Sequence, residues 1–119
     1  MFKVIVAGSR NFNNYELLRD KLDFLLQDKE KSVVEIISGT ANGADKLGER
    51  YAFANSIQLK CFPANWEVFG RSAGYKRNKQ MAEYADALVA FWDGKSKGTE
   101  HMINLAEEYN LQIRVIKFK

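Results

Sequence analysis

Cysteine, histidine and proline occur once each in 119 residues, as Cys61, His101 and Pro63. A single cysteine excludes an internal disulfide and fits a reducing compartment. One histidine and one cysteine cannot assemble a zinc cluster or a Cys–His dyad, so no metal site is expected. No apolar run approaches the ~20 residues that span a bilayer, which argues against a membrane partner. The opening Met1-Phe2-Lys3-Val4-Ile5-Val6 reads as a strand without a signal-peptide cleavage pattern, so the expected compartment is the cytoplasm. Excess charge is also scarce. The chain carries 18 Lys+Arg against 15 Asp+Glu, a net +3 that argues against nucleic acid as the main partner.

Glycine is missing from one set of places in particular. The return turns near residues 28–32, 55–56, 84–86 and 109–110 contain none. Seven of the eight glycines instead follow a predicted strand: Gly8, Gly39, Gly43, Gly70, Gly74, Gly94 and Gly98. In a chain that alternates strand and helix, all post-strand loops lie on one rim, where glycine lets backbone N–H groups approach a ligand. One rim is built for binding and the other for turning.

What is present is a core. With 46% hydrophobic residues, the chain can form a single domain over 1–119 and bury roughly 65% of its unfolded surface. Predicted strands cover Phe2–Ala7, Val33–Ser38, Gln58–Phe62, Ala87–Phe91 and Gln112–Lys117, rich enough in Val, Ile and Leu to suggest burial on both faces. Between them, a first helix opens at Asn13-Asn14-Tyr15-Glu16, a capping-box spacing, and carries Leu18, Leu22 and Leu25 on one stripe. A second runs about Ala44–Asn55, with Ala44, Leu47, Tyr51 and Ala54 inward and Gly48 allowing close contact with the sheet. A third spans about Ala73–Tyr84 and a fourth about Thr99–Tyr109. This order predicts a Rossmann-like α/β fold: a doubly wound, five-stranded parallel sheet of order 3-2-1-4-5 with helices on both faces. Its switch point lies between strands one and four, and ligands bind outside the strand C-termini there.

Two loops meet at that point. In the first, Gly8, Ser9 and Arg10 offer a backbone cradle, a hydroxyl and a guanidinium suited to phosphate; a tight turn with a solvated arginine is the alternative. In the other, Gly94 and Gly98 bracket a polar turn in which Asp93, Ser96 and Thr99 stand near a helix start able to hold an anion. The alternative is a plain cap by Thr99 with Lys95 and Lys97 solvated. The second post-strand loop adds Gly39, Thr40, Asn42, Gly43 and Asp45, with Asp45 either taking a ribose hydroxyl or capping the second helix. On the third helix, Asn78 shares the apolar stripe of Met81 and Ala85 and needs partners from a loop backbone or a ligand. Beside it, Arg77 is the candidate clamp. Trp66 and Phe69 are placed either to stack on a base or to form an apolar lid. His101 is expected to be exposed. Asp93 and Glu100 are the carboxylates nearest the rim.

Taken in order, Gly8-Ser9-Arg10, Ser38-Gly39-Thr40-Ala41-Asn42-Gly43-Ala44-Asp45, Trp66…Gly70…Ala73-Gly74…Arg77-Asn78…Met81 and Trp92-Asp93-Gly94…Gly98-Thr99…Met102 resemble the YspA/YpsA-related branch of the SLOG superfamily (SMF/DprA–LOG). The resemblance implies a rim pocket for a nucleotide-derived ligand such as an ADP-ribose-like or cyclic nucleotide signal, sensed or sequestered. It requires no cofactor, admits Mg2+ only as a companion of a nucleotide, and implies pairing into homo-oligomers through helices. Two positions depart from the pattern. Thr40 stands where the branch often has a second glycine. Met102 stands where the LOG phosphoribohydrolases carry their working glutamate, and Glu100 lies about 200° away around the helix. An N-glycosidase or deoxyribosyltransferase using Asp93 or Glu100 is the alternative function. Single-stranded DNA binding through Arg71, Lys76, Arg77 and Lys79 is the second alternative.

Overall fold

The computed structural model describes residues 1–118. Five strands, β1 (Phe2–Gly8), β2 (Val34–Ser38), β3 (Gln58–Cys61), β4 (Ala87–Trp92) and β5 (Gln112–Lys117), form one parallel sheet of order β3-β2-β1-β4-β5. The helices are α1 (Tyr15–Leu25), α2 (Ala44–Ala54), α3 (Trp66–Phe69), α4 (Ala73–Tyr84) and α5 (Lys97–Glu108). In β1, Val4 and Val6 point to one face and Ile5 and Ala7 to the other, as the strand's two-residue repeat requires. The first pair packs with Leu18 and Leu22 of α1 and Ala44, Tyr51 and Ala52 of α2. The second packs with Met81 and Ala82 of α4 and Met102 and Ala106 of α5. Two helices therefore cover each face. Full burial of one such leucine contributes about 1.5–3 kcal/mol.

Register puts Ile5 level with Ile37 on one side and Leu88 on the other, so the middles of the central strands are buried. The edges differ from expectation. All four residues of β3 are exposed and β5 is at best half-buried, because an edge strand has one neighbour and incomplete helix cover. Val33 falls in an exposed 3₁₀ turn (Lys31–Val33) instead of β2, and Phe62 lies beyond β3. On α2, Ala54 is exposed, while Gly48 and Ala52 occupy the inward face with Tyr51. Gly48 is needed there: a Cβ would lie 2.8 Å from the Cβ of Val6.

The starts of α1 and α5 also moved by a residue or more, while α2 and α4 begin at Ala44 and Ala73 as expected. Asn14, not Asn13, caps α1, its side chain accepting from the Leu17 amide at 3.0 Å. An additional short helix, α3, is capped by Asn65 through the Val68 amide at 3.2 Å. α5 begins at Lys97 with Ser96 in the capping position, so Thr99 is a buried third-position residue and not the cap. The glycine-free return turns use Ser56 (φ 56°) and Asn110 (φ 59°) in the left-handed region instead.

Candidate functional site

The C-terminal ends of β1 and β4 diverge into a cavity of about 420 Å³. Ala7, Met81 and Met102 contribute apolar lining, while Arg10, Asp45, Arg77 and Asn78 are among its polar groups. The entry of β1 into its loop is tight. The Ser9 amide donates to the Phe91 carbonyl at 2.9 Å, and a Cβ on Gly8 would collide with that same carbonyl. Gly43 adopts φ 82° directly beneath this loop, where a Cβ would lie 2.6 Å from the Arg10 carbonyl oxygen. This close approach lets the Ala44 amide donate to the Ser9 carbonyl at 3.4 Å, so α2 starts against the end of β1.

Ser9 is buried and ties the two switch-point loops together: its hydroxyl accepts the Asp93 amide at 3.1 Å. Asp93 in turn organises its own loop. Its Oδ1 accepts the Lys95 amide at 2.9 Å and the Ser96 amide at 2.8 Å. Those two backbone donors, with a smaller share from Ser9, hold its carboxyl below the ordinary range. The first amides of α5, at Lys97, Gly98 and Thr99, have no preceding helical carbonyls to bond and present positive partial charge at the cavity's edge. Gly98 and Thr99 line it, as does Ser96, whose hydroxyl lies 3.1 Å from that of Thr99.

The opposite wall comes from α2 and α4. Arg77 is half-buried, and its Nη1 donates to the Gly39 carbonyl while its Nε donates to Asn78 Oδ1 at 3.0 Å. Asp45 reaches back from α2 to accept the Ala41 amide at 3.1 Å. A Cβ on Gly39 would lie 2.7 Å from Arg77 Nη1 and 2.9 Å from Asp45 Oδ2, so the bare glycine is what lets both side chains close around it. Only 5% of Asp45 is exposed, and burial pushes its carboxyl up to about 6 despite the Ala41 amide and the Arg77 charge. Burial likewise lowers the Arg77 pKa; Asp45 opposes this and the nearby charge of Arg10 adds to it. Arg10 is exposed at the rim. Two guanidinium groups thus face one cavity, with Asp45 the stronger charged neighbour of Arg77 and Arg10 the weaker.

Asn78 found its partners within the protein: its Nδ2 donates to the Gly98 carbonyl at 3.3 Å and sits 3.1 Å from His101 Nδ1. His101 is consequently half-buried and not exposed as expected, with Tyr75 edge-on at a centroid distance of 4.4 Å. Burial lowers its pKa, and an amide donor at Nδ1 fits the neutral ring. Of the residues singled out from the sequence, Gly8, Ser9, Arg10, Asp45, Arg77, Asn78, Asp93, Ser96, Gly98 and Thr99 line the cavity together. Gly39, Thr40, Asn42, Gly43, Gly94 and Glu100 do not. Thr40 is turned to φ 65° and bonded through its amide to Ser38 Oγ at 3.0 Å, while Asn42 and Glu100 are exposed. Sequence reasoning missed Asn11 and Ala41, each adjacent to a chosen residue. Met102, noticed only as a replaced glutamate, is buried at the cavity wall.

Parallel sheet, switch-point crevice and two helix starts at its rim define a Rossmann-like domain with an anion-compatible site. The chain belongs to the YspA, cpYpsA-related SLOG family (YAcAr), which it matches over residues 2–69. No curated protein matches it. Among solved structures it is similar to DNA processing protein A (DprA) from Streptococcus pneumoniae, with a TM-score of 0.80 and 16% identity. That match covers 100% of this chain and 51% of the other, so this chain spans about half of it. It is also similar to DNA processing protein A from Helicobacter pylori, whose structure is described as showing a unique single-stranded DNA binding mode. There the TM-score is 0.66 and identity 17%, over 99% of this chain and 66% of that one. At such identities the likeness is one of fold. No helix among the described residues is long and apolar enough to cross a membrane.

Proposed function

We propose that this protein binds a nucleotide or nucleotide-derived ligand in the rim cavity, as a sensor or a sequestering domain for an ADP-ribose-like or cyclic nucleotide signal. One observation carries the reading: Arg10 and Arg77 face the same cavity as the start of α5, at the point where the winding of the sheet reverses. A phosphate held between them satisfies the α5 amides and accepts hydrogen bonds from the two guanidinium groups. Asp45 stands within the same cavity to accept a ribose hydroxyl. Its burial makes it the carboxylate best suited to a neutral partner. The glycosidase alternative draws less support, since Asp93 spends its carboxylate on two loop amides and Glu100 lies outside the lining.

Single-stranded DNA is the second reading, favoured by the DprA-like fold and by the exposed Arg71, Lys76 and Lys79, which stand near Arg77 in the chain. One experiment separates the two: thermal unfolding with AMP, ADP-ribose, cyclic dinucleotides, ribose 5-phosphate and a dT oligomer. A true ligand at 100 times its dissociation constant adds about 2.7 kcal/mol. The expected result is stabilisation by a nucleotide-derived small molecule that Arg10→Ala removes. Stabilisation by the oligomer alone, at low salt, supports the second reading. No shift with any compound, or a shift preserved in Arg10→Ala, overturns the assignment.

A further inference from the structure

Three large aromatic side chains on α3 and the first turn of α4 stand in solvent: Trp66 at 52% exposure, Tyr75 at 48% and Phe69 at 44%. Two of them are engaged. Lys76 Nζ sits 5.0 Å above the Phe69 ring, and Tyr75 meets His101 edge-on. Trp66 alone of the three has no aromatic or cationic partner among the described residues, although it is the largest π-face of the set. Its position is set by Asn65, which caps α3, and by Gly74 on the first turn of α4. A Cβ at Gly74 would lie 3.5 Å from Trp66 Cη2 and 3.6 Å from Arg77 Nη2. The indole edge and the cavity guanidinium therefore flank the same bare glycine.

We infer that Trp66 is the stacking platform for a nucleobase whose phosphate occupies the cavity beside Arg77. This rests on the nucleotide-binding reading above and adds to it the surface on which the ligand's base is held. A base-free sugar phosphate fills the cavity but leaves the indole wet; a base stacked on Trp66 takes the facing surfaces of base and indole out of water. The geometry fits either a mononucleotide-type ligand or one nucleotide of a single strand, since both present a base one sugar away from a phosphate.

The test is a titration of AMP and of ribose 5-phosphate against the native protein, Trp66→Ala and Trp66→Phe. A dT oligomer and an abasic oligomer of equal length form a second pair. Stacking predicts that AMP binds more tightly than ribose 5-phosphate, that Trp66→Ala weakens AMP about 10-fold, and that Trp66→Phe restores most of the loss. Ribose 5-phosphate should be indifferent to both substitutions. If only the oligomer pair shows this pattern, the base belongs to a strand. If base-bearing and base-free probes bind alike, or Trp66→Ala weakens both equally, the platform is refuted while the anion site stands. If none of the probes binds, both fall.

Discussion

Asp45 shows how much a single residue's chemistry depends on surroundings that lie far away in sequence. Its carboxyl titrates near 3.8 when free and at about 6 in the folded protein, with desolvation the largest cause. Between those values the folded state holds a proton that the unfolded chain has released. Its contribution to stability is therefore fully present below pH 3.8 and is lost as pH rises to about 6, a change on the order of 3 kcal/mol. Asp45→Asn keeps an acceptor for the Ala41 amide and removes the titration. We expect denaturant melts to show the stability of the Asp45→Asn variant, relative to native, increasing between about pH 4 and pH 7. A difference independent of pH refutes the assignment. Sequence spacing offered helix capping and ribose binding as roles for Asp45; which backbone amide it would bond, and its burial against Arg77, came from the fold.

At the scale of elements, the five strands and the four long helices were legible because each carries its own periodicity, but ends and edges were not. Asn13 and Asn14 are equivalent candidates by composition, and only the trajectory leaving Phe12 decides which amide lies within reach. Asn14→Ala should cost about 1 kcal/mol by chemical denaturation and Asn13→Ala much less. Equal effects would place the cap wrongly. Helix α3 went unseen because four residues are too few to show a repeat. It is the element that carries Trp66, the residue on which the stacking inference rests.

Across the whole molecule, Arg10 and Arg77 serve one field by different routes. Arg10 is exposed at the rim, and removing it changes chiefly the potential of the cavity. Arg77 also stitches α4 to the loop after β2 through the Gly39 carbonyl, so removing it strands a buried acceptor, at a cost of about 1–3 kcal/mol. Arg77→Ala should therefore lower stability without ligand, whereas Arg10→Ala should leave it within about 0.5 kcal/mol of native. Similar melts for the two variants would show that Arg77 has no framework role.

The alternation of strand and helix, the choice of rim and the glycines that shape it were set by local pattern, because period and post-strand glycine act over a few residues. Ten of the rim residues met in one cavity for that reason. Tertiary structure alone decided which polar groups are consumed by the frame and which face the cavity. Ser9, Asp93 and Asn78 bond across loops 20 to 84 residues apart, or cap their own turn, while Arg10 stays free at the rim. Such partnerships depend on distances of a few ångströms between segments remote in the chain, and no one-dimensional pattern encodes them.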